Sequence, residues 1–299
     1  MCKPAIDTSL LPQYQSSWAI MERLLVAIHE AGMPIERSAN VPGIKVVDGL
    51  ELKADVLNYF TNNKNAFRAE FMRELETKMH RDQINVFCDV IARVWYKRGR
   101  LCKEELPLRL SRSIHDYLRQ IAPNRRARFV ACDKPEPSVE PLLTVEEVAA
   151  ILTVNDQMLH HHVEEWKATR PNAGLPSGSE VIIHRGLGLA RRMLSRREYR
   201  EWNYINSYSI AISSPEKFAQ MTEGLLPALI HGELETFSGR VLFFSPFIPD
   251  MEIGQLEFGI IPAEKPPPIK YQGKHGGIRE YFLDPAPYQS ERLCARLSR

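Results

Sequence analysis

The chain contains no apolar run of about 18 residues, the length a membrane-spanning helix needs, so no span is expected. Its first residues, Met1-Cys2-Lys3-Pro4-Ala5-Ile6-Asp7, carry no apolar core of the kind that makes a cleaved signal peptide. A cytoplasmic protein is therefore expected, or one delivered to a target cytoplasm without a cleaved signal. Cysteine is sparse and scattered: Cys2, Cys88, Cys102, Cys132 and Cys294 form no C-x-x-C pair. That excludes a zinc ribbon or a thioredoxin-like redox motif, and reduced thiols are expected. No internal repeat is present, and neither sign of charge dominates, since the net charge is only +2.

What is there is the composition of a soluble globule, 44% hydrophobic and 25% charged over 299 residues, enough for one large domain or two ordinary ones. The first 130 residues read as helices. Apolar residues recur at helical spacing in 10–32 (Trp18, Met21, Leu24, Leu25, Ile28), 50–80 (Val56, Phe60, Phe67, Phe71, Leu75), 84–96 and 110–121. Residues 41–47 read as a short extended piece. Three prolines in residues 133–141 mark a linker, which divides a helical domain (1–132) from a second domain (142–299). Beyond residue 179 the character changes. Short strands are expected over 180–186, 206–212, 240–244, 254–262, 269–272 and 279–283, with a basic helix over 189–202 and a helix from Ser214, capped by that serine, to about Met221. The expected class is α+β.

Two features invite a nucleic-acid reading. Residues 93–128 carry eleven Lys/Arg against three acids, and a second cluster comprises Arg185, Arg191, Arg192, Arg196, Arg197 and Arg200. Such patches grip phosphates, although a solvated helix face looks the same in sequence. Residues 143–166 read as two short helices separated at Thr153–Asp156, with Thr144 and Glu147 forming a capping box. That is the outline of a helix-turn-helix, which makes a DNA-binding regulator the alternative function. Its second helix, however, offers Gln157, histidines and glutamates rather than the Arg, Lys and Asn that read bases. His160, His161 and His162 fan out by about 100° each on a helix and cannot all meet one ion, so no metal site is expected.

Three further motifs stand in order. Arg185-Gly186-Leu187 ends one expected strand. Ser207-Tyr208-Ser209 lies on the next, followed by Ser214-Pro215-Glu216-Lys217-Phe218-Ala219 at a helix start. Gln255-Leu256-Glu257 lies on a later strand, with Gln255 and Glu257 on one face. This order resembles the Arg, Ser-x-Ser, Gln-x-Glu signature of toxin-type mono-ADP-ribosyltransferases over about residues 140–285. It departs from that signature at Tyr208, where the family prefers a small hydroxyl residue, and in its short spacing from Arg185 to Ser207.

The resemblance implies a mixed β-sandwich ADP-ribosyltransferase-like domain that takes NAD as substrate and no metal. It implies that Arg185, with Gly186, Ser207 and Ser209, holds NAD, the arginine through its planar fork on phosphate or ribose. Ser207 would also position strand edges or hydrogen-bond the glutamate. Glu257 would stabilise the cation that develops on the nicotinamide ribose as its glycosidic bond breaks. Gln255 in place of glutamate is similar to Rho-modifying exoenzymes and pierisin-like enzymes. It implies an acceptor other than arginine, either a nucleic-acid base or an asparagine-type side chain. Phe247, in the loop ahead of the strand, would pack on the target, unless it plugs the core. The partners implied are RNA, DNA or a protein as target, and a neutralising antitoxin or a chaperone.

Overall fold

The computed structural model describes residues 6–7, 35–36, 58–95, 105–121, 139–168, 181–189, 205–210, 213–221, 225–251, 256–263, 267–275 and 277–283. The expected elements at 10–32 and 41–47, most of the basic helix at 189–202 and most of the 133–141 linker lie outside the described residues. A two-residue parallel pairing of Ile6–Asp7 with Ile35–Glu36 stands apart from the main sheet.

N-terminal helices are followed by a seven-strand mixed sheet. The helices are α1 (Lys64–Glu76), α2 (Arg81–Val94), α3 (Glu105–Ile121), α4 (Val145–Ala168) and α5 (Ser213–Gln220). The strands are β1 (Ile182–Leu189), β2 (Asn206–Ser209), β3 (Leu226–Glu233), β4 (Val241–Phe244), β5 (Glu257–Ile260), β6 (Ile269–His275) and β7 (Ile278–Leu283). In space they run β4-β5-β2-β1-β3-β7-β6. Every pairing is antiparallel except β3 with β7. The sheet thus sets the arginine strand β1, the serine strand β2 and the glutamate strand β5 side by side.

β3 was not expected. Pro227 and Gly232 interrupt its apolar run, and both residues read as turn formers in isolation. Pairing overrides them: Pro227 stands opposite Gly188 near one end, and Gly232 leaves room for the Phe237 ring, whose Cε2 would be 2.8 Å from a Cβ there. α5 starts at Ser213, two residues before Pro215, the expected first helical position, so Ser214 lies inside the helix rather than at its cap.

Residues 145–168 form one 24-residue helix, not two helices with a turn. The polar residues that read as a turn are spent elsewhere. Thr153 Oγ1 donates back to Ala149 O at 2.8 Å, and buried Asn155 Nδ2 donates to Ile151 O and to Leu242 O of β4, both at 3.0 Å. Asp156 accepts from Ser238 Oγ at 2.9 Å and from Gly239 N at 2.8 Å, fixing the turn into β4. The capping box forms as expected: Thr144 N donates to Glu147 Oε2 at 2.8 Å and Glu147 N to Thr144 Oγ1 at 3.2 Å.

One hydrophobic core spans both sides of the 133–141 segment, from Phe60, Phe67 and Phe71 through Ile114 and Val148 to Phe243, Phe258 and Leu283. α1 packs on the 3-10 turn Ser245–Phe247, and α4 lies against β4. Polar ties cross the same boundary. Arg68 Nη2 donates to Met251 O at 2.6 Å, and Leu143 N donates to Ser113 Oγ at 2.8 Å.

Candidate functional site

Glu257 opens β5 immediately after Leu256, whose φ of 46° is left-handed. That kink makes Glu257 the first residue of the strand. Ser245 Oγ, itself buried, accepts the Glu257 backbone N–H at 2.9 Å and so fixes where the strand begins. The Glu257 side chain is 4% exposed. Ser207 Oγ donates to Glu257 Oε1, closing a gap of 50 residues in the chain. Hydrogen bonds of this kind hold a carboxylate in one rotamer.

Register carries the rest. Ser209 stands opposite Glu257, His184 opposite Ser209, and His231 opposite His184. Directly opposed residues share a face of a sheet. Glu257, Ser209, His184 and His231 therefore form one row across four strands, and all four are buried. At the far end His184 Nδ1 and His231 Nδ1 are 2.9 Å apart, which requires one proton between them. His231 Nε2 lies 3.5 Å from Glu280 Oε2 of β7. The sequence reading missed these three residues and Ser245. The only signal of the first three was a polar residue at an interior position of an apolar strand, and Ser245, in the 3-10 turn, gave none.

Arg185 follows His184, so alternation turns it to the other face, where its guanidinium carbon lies 5.7 Å from the Tyr208 ring centroid. Its Nη1 donates to the Ser207 backbone carbonyl at 3.3 Å. Arg185 thus ties β1 to the serine strand and stacks on the residue that departs from the family pattern. Gly186 admits α5: a Cβ there would lie 1.6 Å from Pro215 O. The helix start after the serine strand is packed directly on the arginine strand. Gln255 lies outside the described residues.

Phe247 does not face a target. It is fully buried, with ring centroids 5.9 Å from Phe67, 6.0 Å from Phe71 and 5.1 Å from Phe244. The 3-10 turn folds it inward, where these three rings and His162, 6.2 Å away, outweigh any surface role. The substrate-binding expectation for Phe247 is corrected accordingly, to a core plug.

In the described part of the first basic cluster, Arg93 pairs with Asp89, Arg109 with Glu105 and Arg112 with Asp116, each four residues apart on its own helix. Of the second cluster, the positions from Arg191 to Arg200 lie outside the described residues. A separate cleft of about 430 Å³ opens between α2 and Pro249–Asp250, lined by Asn85, Cys88, Asp89 and Arg93 among others. Burial pushes the Cys88 thiol up to about 12, with Asp89 adding to the shift, so it offers no thiolate nucleophile at neutral pH.

Comparison of the chain with protein-family models, characterised proteins and solved structures finds no match.

Proposed function

We propose that the protein transfers ADP-ribose from NAD to a macromolecular acceptor other than arginine, acting as a toxin or effector. The observation that supports this best is the Ser207–Glu257 hydrogen bond between adjacent strands, with the arginine strand next to them. The serine and glutamate motifs are far apart in sequence and meet on one face of the sheet, as a shared site requires; Arg185 lies on the neighbouring strand with its side chain on the opposite face. The finer fold, a mixed β-sandwich ADP-ribosyltransferase-like domain, is part of the same proposal.

In the reaction the bond from ribose C1′ to the nicotinamide nitrogen breaks and its electron pair leaves with nicotinamide. Positive charge spreads over C1′ and the ring oxygen, as in glycoside cleavage. Glu257, held by Ser207 and Ser245, stabilises that cation and bonds the ribose hydroxyl beside it. An acceptor nitrogen then bonds to C1′ and loses its proton to solvent water. Arg185 holds the serine strand from the face opposite Glu257; the resemblance alone assigns it NAD phosphate or ribose. Gln255 orients an acceptor amide or base edge without removing its proton. The acceptor class is a nucleic-acid base or an asparagine-type side chain, and an antitoxin or chaperone is the partner such an activity calls for.

The test is nicotinamide release from NAD, with RNA, DNA and protein fractions supplied separately. Glu257→Gln is expected to cut turnover about 100- to 1,000-fold while leaving NAD binding nearly unchanged, because the lost interaction belongs to the transition state. Gln255→Glu is expected to keep NAD hydrolysis and redirect or weaken target modification. No release by the wild-type protein with any fraction would overturn the proposal. The helix-turn-helix alternative has no support in the geometry, since residues 145–168 are one uninterrupted helix.

A further inference from the structure

Between β4 and β5 the backbone is strained at two points. Asp250 has a φ of 58° and Leu256 a φ of 46°, and among the described residues no other non-glycine residue is left-handed. For a bulky side chain such as Leu256 that conformation is costly, and it persists only where neighbours over-determine it. On the β5 side the neighbour is Ser245, whose Oγ accepts the Glu257 backbone N–H at 2.9 Å. On the other side it is α1. Arg68 Nη2 donates to Met251 O at 2.6 Å, one residue past Asp250, and Phe67 and Phe71 of the same helix pack on the Phe247 ring. We propose that Arg68 is a positioning residue for Glu257. By holding Met251 it sets where the chain re-enters the sheet, and α1 becomes part of the site.

The arginine is given wholly to this contact. Among the described residues no carboxylate pairs with Arg68, and its Nε is buried without a hydrogen-bond partner. Packing alone would be served as well by leucine or methionine, without drawing a charge out of water. A guanidinium supplies what those cannot, a directed, charge-assisted bond to a backbone carbonyl. α1 is itself fixed from behind by α4. Glu70 Oε2 lies 3.0 Å from His162 Nε2, His162 Nδ1 lies 3.2 Å from Glu165 Oε2, and Tyr59 O–H donates to the same Glu165 oxygen at 2.7 Å. The Phe67 ring lies 4.2 Å from the His162 ring, centroid to centroid. A continuous line of contacts thus runs from α4 through α1 to Met251 and Phe247, next to the serine that receives Glu257. The consequence for turnover rests on the NAD reading above; the placement of Glu257 does not.

Two readouts on the full chain separate placement from catalysis. Hydrogen exchange by mass spectrometry follows a peptide covering β5, with a β1 peptide as reference. In Arg68→Met, exchange in β5 is expected to rise about 10-fold or more while β1 keeps its protection, because only the local restraint is lost. Nicotinamide release from NAD, with the fraction that best supports it, follows catalysis. Arg68→Met is expected to lower kcat about 10- to 100-fold, the cost of misplacing a reacting group by about 1 Å, with KM for NAD within about twofold. Arg68→Lys, which keeps a cationic donor, is expected to recover most of the lost rate. A merely structural arginine would raise exchange in β1 and β5 alike and lower kcat only by the unfolded fraction. That result, unchanged β5 exchange, or an unchanged kcat beside raised β5 exchange would each overturn the proposal. If the wild-type protein releases no nicotinamide, the NAD reading falls and β5 exchange alone decides whether Arg68 places Glu257.

Discussion

At the scale of the residue, the sheet interior carries several polar side chains that burial would penalise heavily if they were not paired. Glu257 is met by Ser207, and His184 by His231, which in turn lies beside Glu280. Cys88 shows the converse, a group kept neutral by burial. Its folded thiol is raised above the ordinary value of 9.0, so its contribution to stability is complete below about pH 9 and is lost as pH rises toward the folded value of about 12. The Tyr281 phenol, raised chiefly by burial, acts in the same direction at still higher pH. Stability is therefore expected to fall between pH 9 and 12, by at most about 1.4 kcal/mol per pH unit from Cys88, as read from urea midpoints at stepped pH. Cys88→Ala should flatten that slope. In the native protein at pH 8, Cys88 should resist iodoacetamide and react only on unfolding.

At the scale of the element, two close approaches build the site region. α5 lies on β1 with Pro215 O in the space that a side chain at position 186 would take. Gly186→Ala forces that helix off the strand and is expected to cost about 1–3 kcal/mol by urea denaturation, the range for overpacking a rigid backbone contact. A cost under about 0.5 kcal/mol would mean that α5 is free to shift. α4 illustrates the other kind of contact. Its Asn155 and Asp156 act as polar pegs into β4 and the turn ahead of it, which holds the edge strand next to β5. Glu257 is thus positioned from one side by β2 and from the other through β4 by a helix distant in sequence.

At the scale of the molecule, the helices and the sheet share one core. Phe247 and Phe244 of the sheet side are covered by Phe60, Phe67 and Phe71 of the helical side. Full-length protein is expected to unfold in urea in one transition, with tryptophan fluorescence and circular dichroism coinciding. A fragment of residues 142–299 uncovers that aromatic layer. It is expected to bind a hydrophobic dye and to unfold without a sharp transition. Well-dispersed methyl signals from the fragment would show instead that the sheet closes its own core.

The sequence by itself determined the order of helices then strands, the capping box at Thr144, and the placement of Arg185, Ser207, Ser209 and Glu257 on strands. These follow from local rules: apolar periodicity, cap chemistry and alternation. Local rules also misread Thr153–Asp156 as a turn and passed over β3. In both cases the partners of the deceptive residues, Leu242 and Gly239 for the first and Gly188 and Phe237 for the second, lie far away in the chain. Only the tertiary structure decided that Phe247 points into the core, that Ser245 sets the start of the glutamate strand, and that His162 stands between two carboxylates. Each of those depends on at least one contact across 12 or more residues: Phe247 with Phe67, Glu257 with Ser245 and His162 with Glu70. No periodicity in a single strand or helix encodes which distant neighbour it will meet.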